Sequence, residues 1–270
     1  MMISMSDAST PTSSPPEGFA KGGGFLLIDK PAGMTSHDVV DAIRRLFGCT
    51  THKARKAFKV GHAGTLDPFA TGLLIVGIGK ATKRLPEIVG LDKTYEAIAR
   101  LGATSTTDDL EGMITEKEFG IWNLEFGTPD PDPNSKFQIP NSTQLEETLN
   151  LFRGGYTQTA PVFSAKKVGG KKLYQHARRG TIDLIERPKK AIVIDELIIT
   201  KYEWPNLAFT ISCSSGTYIR ALARDIGDTL GCGAYLTALR RTRIGKWNVN
   251  EAVPLGALTK ENVGSFVRQL

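Results

Sequence analysis

Apolar positions divide the chain into segments with two different periods. Gly24-Phe25-Leu26-Leu27-Ile28-Asp29-Lys30 is a short apolar run bounded by glycine and by Pro31, and it predicts a strand. From Val39 the apolar residues fall at helical spacing (Val39, Val40, Ile43, Leu46, Phe47). Thr35 with Asp38 three residues on starts the helix as a capping box, and Gly48 stops it. Leu73-Leu74-Ile75-Val76-Gly77-Ile78 predicts a buried strand, and Thr82 to Val89 a short helix. Tyr95, Ala97, Ala99 and Leu101 alternate along the next strand.

Beyond that strand the rhythm breaks. Residues 116–142 carry Pro129, Pro131, Pro133 and Pro140 among polar positions and are expected to form a surface insertion. Thr143 with Glu146 predicts the start of a helix bearing Leu145, Leu149 and Phe152. Strands follow at 191–200 and 207–213, and then a helix striped with Ile219, Leu222, Ala223, Ile226 and Leu230. Runs of strands broken by a few helices indicate an α+β domain around a mixed, largely antiparallel sheet.

Composition narrows the class only modestly. The 270 residues are 40% hydrophobic and 23% charged, as in an ordinary globular protein, and the net charge of +6 favours a polyanionic partner. Cys49, Cys213 and Cys232 are widely spaced and suit a reducing cytoplasm better than a disulfide framework or a zinc site. Residues 1–23 are rich in Ser, Thr, Pro and Gly, without the apolar core of a signal peptide, and are expected to be a disordered tail. No apolar run reaches the roughly 18 residues of a membrane span.

Chemistry concentrates in Gly61-His62-Ala63-Gly64-Thr65-Leu66-Asp67-Pro68-Phe69-Ala70-Thr71-Gly72. Its glycines and proline make a stiff loop that places one carboxylate, although a plain surface turn would use the same residue types. Gly77-Ile78-Gly79-Lys80-Ala81 lacks the first glycine and the Ser/Thr of a phosphate loop, and neither a hydrolase elbow nor a dinucleotide fingerprint is present. Catalysis would therefore rest on side chains, without metal or cofactor, and one placed carboxylate suits nucleophilic or general-base work. Residues 164–181 hold Lys166, Lys167, Lys171, Lys172, Arg178 and Arg179 with Tyr174 and His176 interleaved. That is either a solvated basic loop or an RNA-binding segment. Arg220 sits in the first turn of its helix, where the dipole disfavours a cation, so a carboxylate partner is expected.

The 61–72 segment resembles the catalytic motif of the TruB family of tRNA pseudouridine synthases. So, in the same order, do Leu27 to Ser36, Asp92-Lys93-Thr94-Tyr95, Ser164 to Tyr174, Gly216 to Arg220, and Gly231 to Arg241. The resemblance implies a pseudouridine synthase fold and a cofactor-free isomerisation of uridine 55 in the T loop of tRNA. In that reaction the N1–C1′ bond breaks, the base rotates, and it rejoins through C5. Asp67 would be the catalytic aspartate, acting covalently or as a base at the ribose. Tyr95 would stack on the flipped uracil, Arg220 would pair with Asp67, and His62 would fill the stack that the base leaves. Lys30 and Leu239 would help line the pocket. Lys166, Lys171, Lys172, Tyr174, Arg178 and Arg241 would contact the T arm of the RNA partner. Ala63 stands where Thr or another small residue is usual in the family motif, a mild departure. Only about two dozen residues follow Lys246. The expectation is therefore one catalytic domain over 24–270 without the PUA domain of many relatives, working as a cytoplasmic monomer. The competing readings are a non-catalytic RNA-binding protein on the same scaffold and a glycosidase with a second catalytic acid.

Overall fold

The computed structural model describes residues 23–117, 122–123, 128–129, 139–164 and 166–269. Residues 1–22 of the expected tail and most of the 116–142 insertion lie outside them. In chain order the elements begin β1 (Gly24–Lys30), α1 (Ser36–Leu46), α2 (His52–Ala57), β2 (Val60–His62), β3 (Thr71–Ile78), α3 (Leu85–Val89), β4 (Lys93–Leu101), β5 (Ala103–Ser105) and β6 (Ile114–Glu116). Next come β7 (Trp122–Asn123), β8 (Thr128–Pro129), α4 (Ser142–Asn150), β9 (Gly154–Thr159), β10 (Lys167–Val168), β11 (Lys171–Lys172) and α5 (Leu173–Arg178). The series closes with β12 (Lys189–Glu203), β13 (Asn206–Cys213), α6 (Ile219–Thr229), β14 (Ala234–Ile244), β15 (Trp247–Asn248) and β16 (Val253–Pro254). Among the described residues no helix is long and apolar enough to cross a membrane.

The chain divides into two compact units, one of residues 1–68, 74–89 and 251–270, the other of residues 69–73 and 90–250. In the first, β1 pairs parallel with β16, and β2 pairs antiparallel with β3. Helix α1 has the expected box, with Thr35 and Asp38 each satisfying the other's backbone N–H. Val39, Val40 and Ile43 pack from α1 into a core with Leu26, Ile28, Phe58, Leu74, Val76 and Ile78. The segment expected as one helix from Thr82 is a 3₁₀ turn over Gly79–Arg84 followed by α3. Pro86 explains the break, since it has no N–H to continue the preceding turn.

The second unit is built on β14, β4, β13, β12 and β9, paired antiparallel in that order, with Thr71 and Gly72 of β3 parallel to Arg240 and Arg241 of β14. The pattern is the α+β, largely antiparallel arrangement that the sequence indicates. Strand β14 is not announced by periodicity, because Arg240, Arg241 and Arg243 interrupt its apolar positions. Helix α4 starts earlier than expected: its cap is Asn141, boxed with Gln144, and Thr143 lies inside the helix. Asn is the stronger cap residue and Gln144 stands three residues beyond it, so the earlier box wins. The basic stretch contains regular structure as well. Gly169 and Gly170, at φ +56° and +79°, make the two-residue turn of the β10–β11 hairpin, a conformation costly for other residues.

Candidate active site

The loop carrying Asp67 is fixed on both sides of that residue. Ser36, at the start of α1, is buried, and its Oγ accepts from the Leu66 N–H at 2.8 Å and donates to the Leu66 carbonyl at 3.1 Å. On the other side, the Pro68 carbonyl accepts from the Gly33 N–H at 2.9 Å and from Lys30 Nζ at 3.2 Å. Lys30 is fully buried and also donates to the carbonyls of Pro31 (2.8 Å) and Met34 (2.6 Å). One ammonium with three donors thus ties the turn after β1 to the residue following Asp67. Upstream, Ala63 donates to the Ile75 carbonyl at 2.8 Å, and His62 sits on β2 opposite Val76, half-buried. Asp67 is itself half-buried. With both neighbours hydrogen-bonded, its side chain leaves the backbone from a defined point. Lys30 was expected as a pocket-lining residue; its observed contacts are those of a loop anchor.

Gly72 belongs to the second unit, within its stretch of residues 69–73. At φ +101° it lies against Arg241, whose carbonyl oxygen would be 2.3 Å from an added Cβ. Arg241 was expected among the RNA contacts, but its side chain is 1% exposed and Nε donates to the Leu73 carbonyl at 2.8 Å. It is placed inside the sheet, apart from the exposed cations of the basic segment. Tyr95 lies on the buried face of β4 and is 8% exposed, with Ile211 and Arg241 opposite it on the flanking strands. Leu239, also buried, stands opposite Ala97, two residues along on the same face of β4. Lys93 shares that face too, and burial brings its ammonium down to about 8.

Arg220 occupies the first turn of α6 and is 5% exposed. Its Nη1 lies 3.2 Å from Asp109 Oδ2 and donates to the Thr107 carbonyl at 2.7 Å, while Nη2 donates to the Phe163 carbonyl at 3.1 Å. The resemblance assigned this arginine to Asp67; within its own unit the carboxylate bonded to it is Asp109. Asp109 also accepts from Thr107 Oγ1 and from the Glu111 N–H, so it too is oriented. One helical turn further, Arg224 Nη1 donates to Asp108 Oδ2 at 3.0 Å, and Nε and Nη2 donate to Asp225 Oδ1. Burial raises the pKa of Asp108, with Arg224 and Arg220 opposing. Asp108 is held at φ +61°, the one non-glycine residue with positive φ among the described residues.

Two adjacent acids therefore meet two arginines spaced four residues apart. Sequence reading passed over Asp108 and Asp109. The signal was present in the Asp-Asp pair of a Ser/Thr-rich turn and the Arg-x-x-x-Arg spacing of an amphipathic helix, but nothing local joins segments more than 100 residues apart. Ser36, in the sequence only one residue of a longer motif, anchors the loop.

In the basic segment, Lys172 Nζ and the Arg178 guanidinium lie 5.5 and 5.6 Å from the centre of the Tyr174 ring. Lys166, Lys171 and Arg178 are exposed, while Lys172 and Tyr174 are half-buried. A ring flanked by two cations has the make-up of a surface for phosphates and unpaired bases.

Comparison with known proteins accounts for both units. The model of the TruB family pseudouridylate synthase N-terminal domain matches residues 50–126 and 127–219, and that of the tRNA pseudouridylate synthase B C-terminal domain matches 220–264. A tRNA pseudouridine synthase B of Mycobacterium sp. (strain KMS) is 45% identical over 246 residues, covering 90% of this chain and 74% of the relative. One from Chlamydia pneumoniae is 43% identical over 231 residues, covering 85% of this chain and 86% of the relative. Among solved structures, a chain of a Cbf5–Nop10–Gar1 complex superposes with a TM-score of 0.62 at 25% identity. It covers 92% of this chain, which spans 59% of that longer chain. The protein belongs to the TruB family of pseudouridylate synthases.

Proposed function

We propose that the chain converts uridine 55 of the tRNA T loop to pseudouridine, with Asp67 as the catalytic carboxylate. The observation that carries the reading is the double anchoring of the Asp67 loop, by Ser36 on Leu66 and by Gly33 and Lys30 on Pro68. A mere surface turn has no need of a buried lysine and a buried serine to fix the residues either side of one aspartate. The names of the relatives support tRNA as the substrate class.

In this reading the target uridine is extruded from the T loop and His62 takes its place, which offsets part of the few kcal/mol that flipping costs. Asp67 then attacks the ribose or removes a proton from it, and the N1–C1′ bond breaks. The uracil turns, C5 bonds to C1′, and the hydrogen on C5 is lost as a proton while N1 gains one. Tyr95 stacks on the uracil and assists removal of that proton. Arg220 keeps negative charge ionised and oriented where the reaction needs it, as an adjacent cation does for a carboxylate. Lys166, Lys171, Lys172, Tyr174 and Arg178 grip the T arm, and residues 24–270 work as one catalytic domain, monomeric in the cytoplasm. Bonds broken and formed balance without a cofactor.

The test is Asp67→Asn on a synthetic T-arm stem-loop, with pseudouridine mapped at single-nucleotide resolution. Product is expected to disappear while RNA affinity stays within about threefold, since asparagine keeps the size and loses the charge. Turnover near that of the parent protein would remove Asp67 from its role.

A further inference from the structure

The start of α6 raises a physical problem that a distant residue solves. Tyr218, the N-cap of this helix, makes no side-chain capping hydrogen bond. Helix starts leave backbone N–H groups to be satisfied, and an unfixed first turn frays. A fraying first turn here would move Arg220, two residues on. What holds the turn is Gln158, on β9 and 2% exposed.

The Gln158 carboxamide meets the main chain of Tyr218 from both sides. Oε1 accepts from the Tyr218 N–H at 2.8 Å, and Nε2 donates to the Tyr218 carbonyl at 3.0 Å. The amide thus acts as a strand neighbour would, pairing with one residue's donor and acceptor at once. Its second N–H goes to Tyr156 Oη at 2.7 Å, and Tyr156 lies 3.5 Å from Asp225 Oδ2. Each polar atom of this buried amide is therefore used, and the set spans α6 from Tyr218 to Asp225. A glutamine buried on a strand is otherwise a poor choice, because an apolar side chain would fill the volume without polar atoms to satisfy.

We infer that Gln158 is a positioning residue for the isomerisation: by clamping the Tyr218 main chain it sets where the Arg220 guanidinium stands. The inference rests on the proposal that Arg220 acts at the reacting uridine. It predicts an effect on the chemical step, passed through Arg220, with little effect on RNA binding.

The experiment uses the full chain, a T-arm stem-loop at saturating protein, and single-turnover rates for Gln158→Leu, Gln158→Asn, Arg220→Lys and the double variant Gln158→Leu/Arg220→Lys. Leucine keeps the volume and removes the clamp. Asparagine keeps the amide but falls one methylene short, and it carries the test should the leucine variant fail to fold, with the Arg220→Lys combination then made on it. Both single Gln158 variants are expected to lose on the order of 10- to 100-fold in rate, as small misplacements of a reacting group do, with RNA affinity changed less than about threefold. In the Arg220→Lys background the same Gln158 change is expected to cost less than about twofold, because a residue acting through Arg220 has nothing further to lose. Parental rates in both Gln158 variants, a loss confined to RNA affinity, or full multiplication of the two effects in the double variant would each overturn the inference. An Arg220→Lys protein with the parental rate would instead overturn the reading of Arg220, and this inference with it.

Discussion

The Asp67 loop and the start of α6 are both held by buried side chains on main-chain groups, but only the second also depends on a buried ion pair. Around Asp67 the supports are main-chain groups, reached by one lysine and one serine from the neighbouring turn and helix. Around Arg220 an ion pair is added to such bonds: Asp109 faces the guanidinium alongside the carbonyls of Thr107 and Phe163, and the Gln158 amide grips the Tyr218 main chain, the two side chains being brought from 111 and 62 residues away in the chain. A scaffold of backbone carbonyls tolerates variation in side chains because each residue offers the same carbonyl. A scaffold of carboxylates and amides fails as soon as one partner changes. The second region should therefore be the more fragile of the two.

The sharpest way to break that contrast is Asp109→Asn. It leaves a buried guanidinium facing a neutral amide, and removing one partner of a buried pair is expected to cost about 3–5 kcal/mol in urea unfolding. A loss below about 1 kcal/mol would mean that the carbonyls of Thr107 and Phe163 hold Arg220 unaided. Ser36→Ala should be milder, about 1–3 kcal/mol, since it leaves the N–H and carbonyl of Leu66 to find other partners. If it proved as damaging as Asp109→Asn, the two regions would be equally fragile and the contrast would be lost.

The smallest effect concerns Lys93, which shares the Tyr95 face of β4. Burial lowers its pKa from 10.5 to about 8. Between those values the unfolded chain binds the proton and the folded chain does not, so this lysine's contribution to stability grows as pH rises through the window. Below pH 8 the folded protein carries the full penalty of a buried ammonium. Lys93→Met removes that penalty, and its advantage in melting temperature over the parent should shrink from pH 7.5 to pH 10. A constant difference across that range would show that Lys93 does not titrate there.

The same contrast separates the features legible in the sequence from those that are not. The 61–72 loop announces itself because glycine and proline carry backbone geometry in their own names, and the box at Thr35 and Asp38 is local. Periodicity also exposes β4 and α6. Asp109 and Gln158 stay hidden, because a carboxylate in a turn and an amide on a strand look like ordinary polar surface until their partners arrive. Arg241 misleads for the converse reason: an arginine in a basic tail reads as exposed, and only the parallel contact of β14 with Thr71 and Gly72 shows that it is enclosed. Strand β14 escaped for the same cause, its arginines masking a row of buried positions.

One feature of the first unit bears on how the chain is made. Phe25 exchanges both backbone hydrogen bonds with Arg268, and β1 pairs with β16, so the strand leading to Lys30 is completed by residues from the far end of the sequence. Emerging from the ribosome, β1 must wait through more than 200 residues before Val253 and Arg268 arrive to pair with Ile28 and Phe25. The strands β4 through β14 of the second unit are all synthesised in the interval. Contacts of such separation form late and slowly. The unit bearing Asp67 is thus the last to close, and an interrupted chain would have its arginine framework in place before that unit is complete.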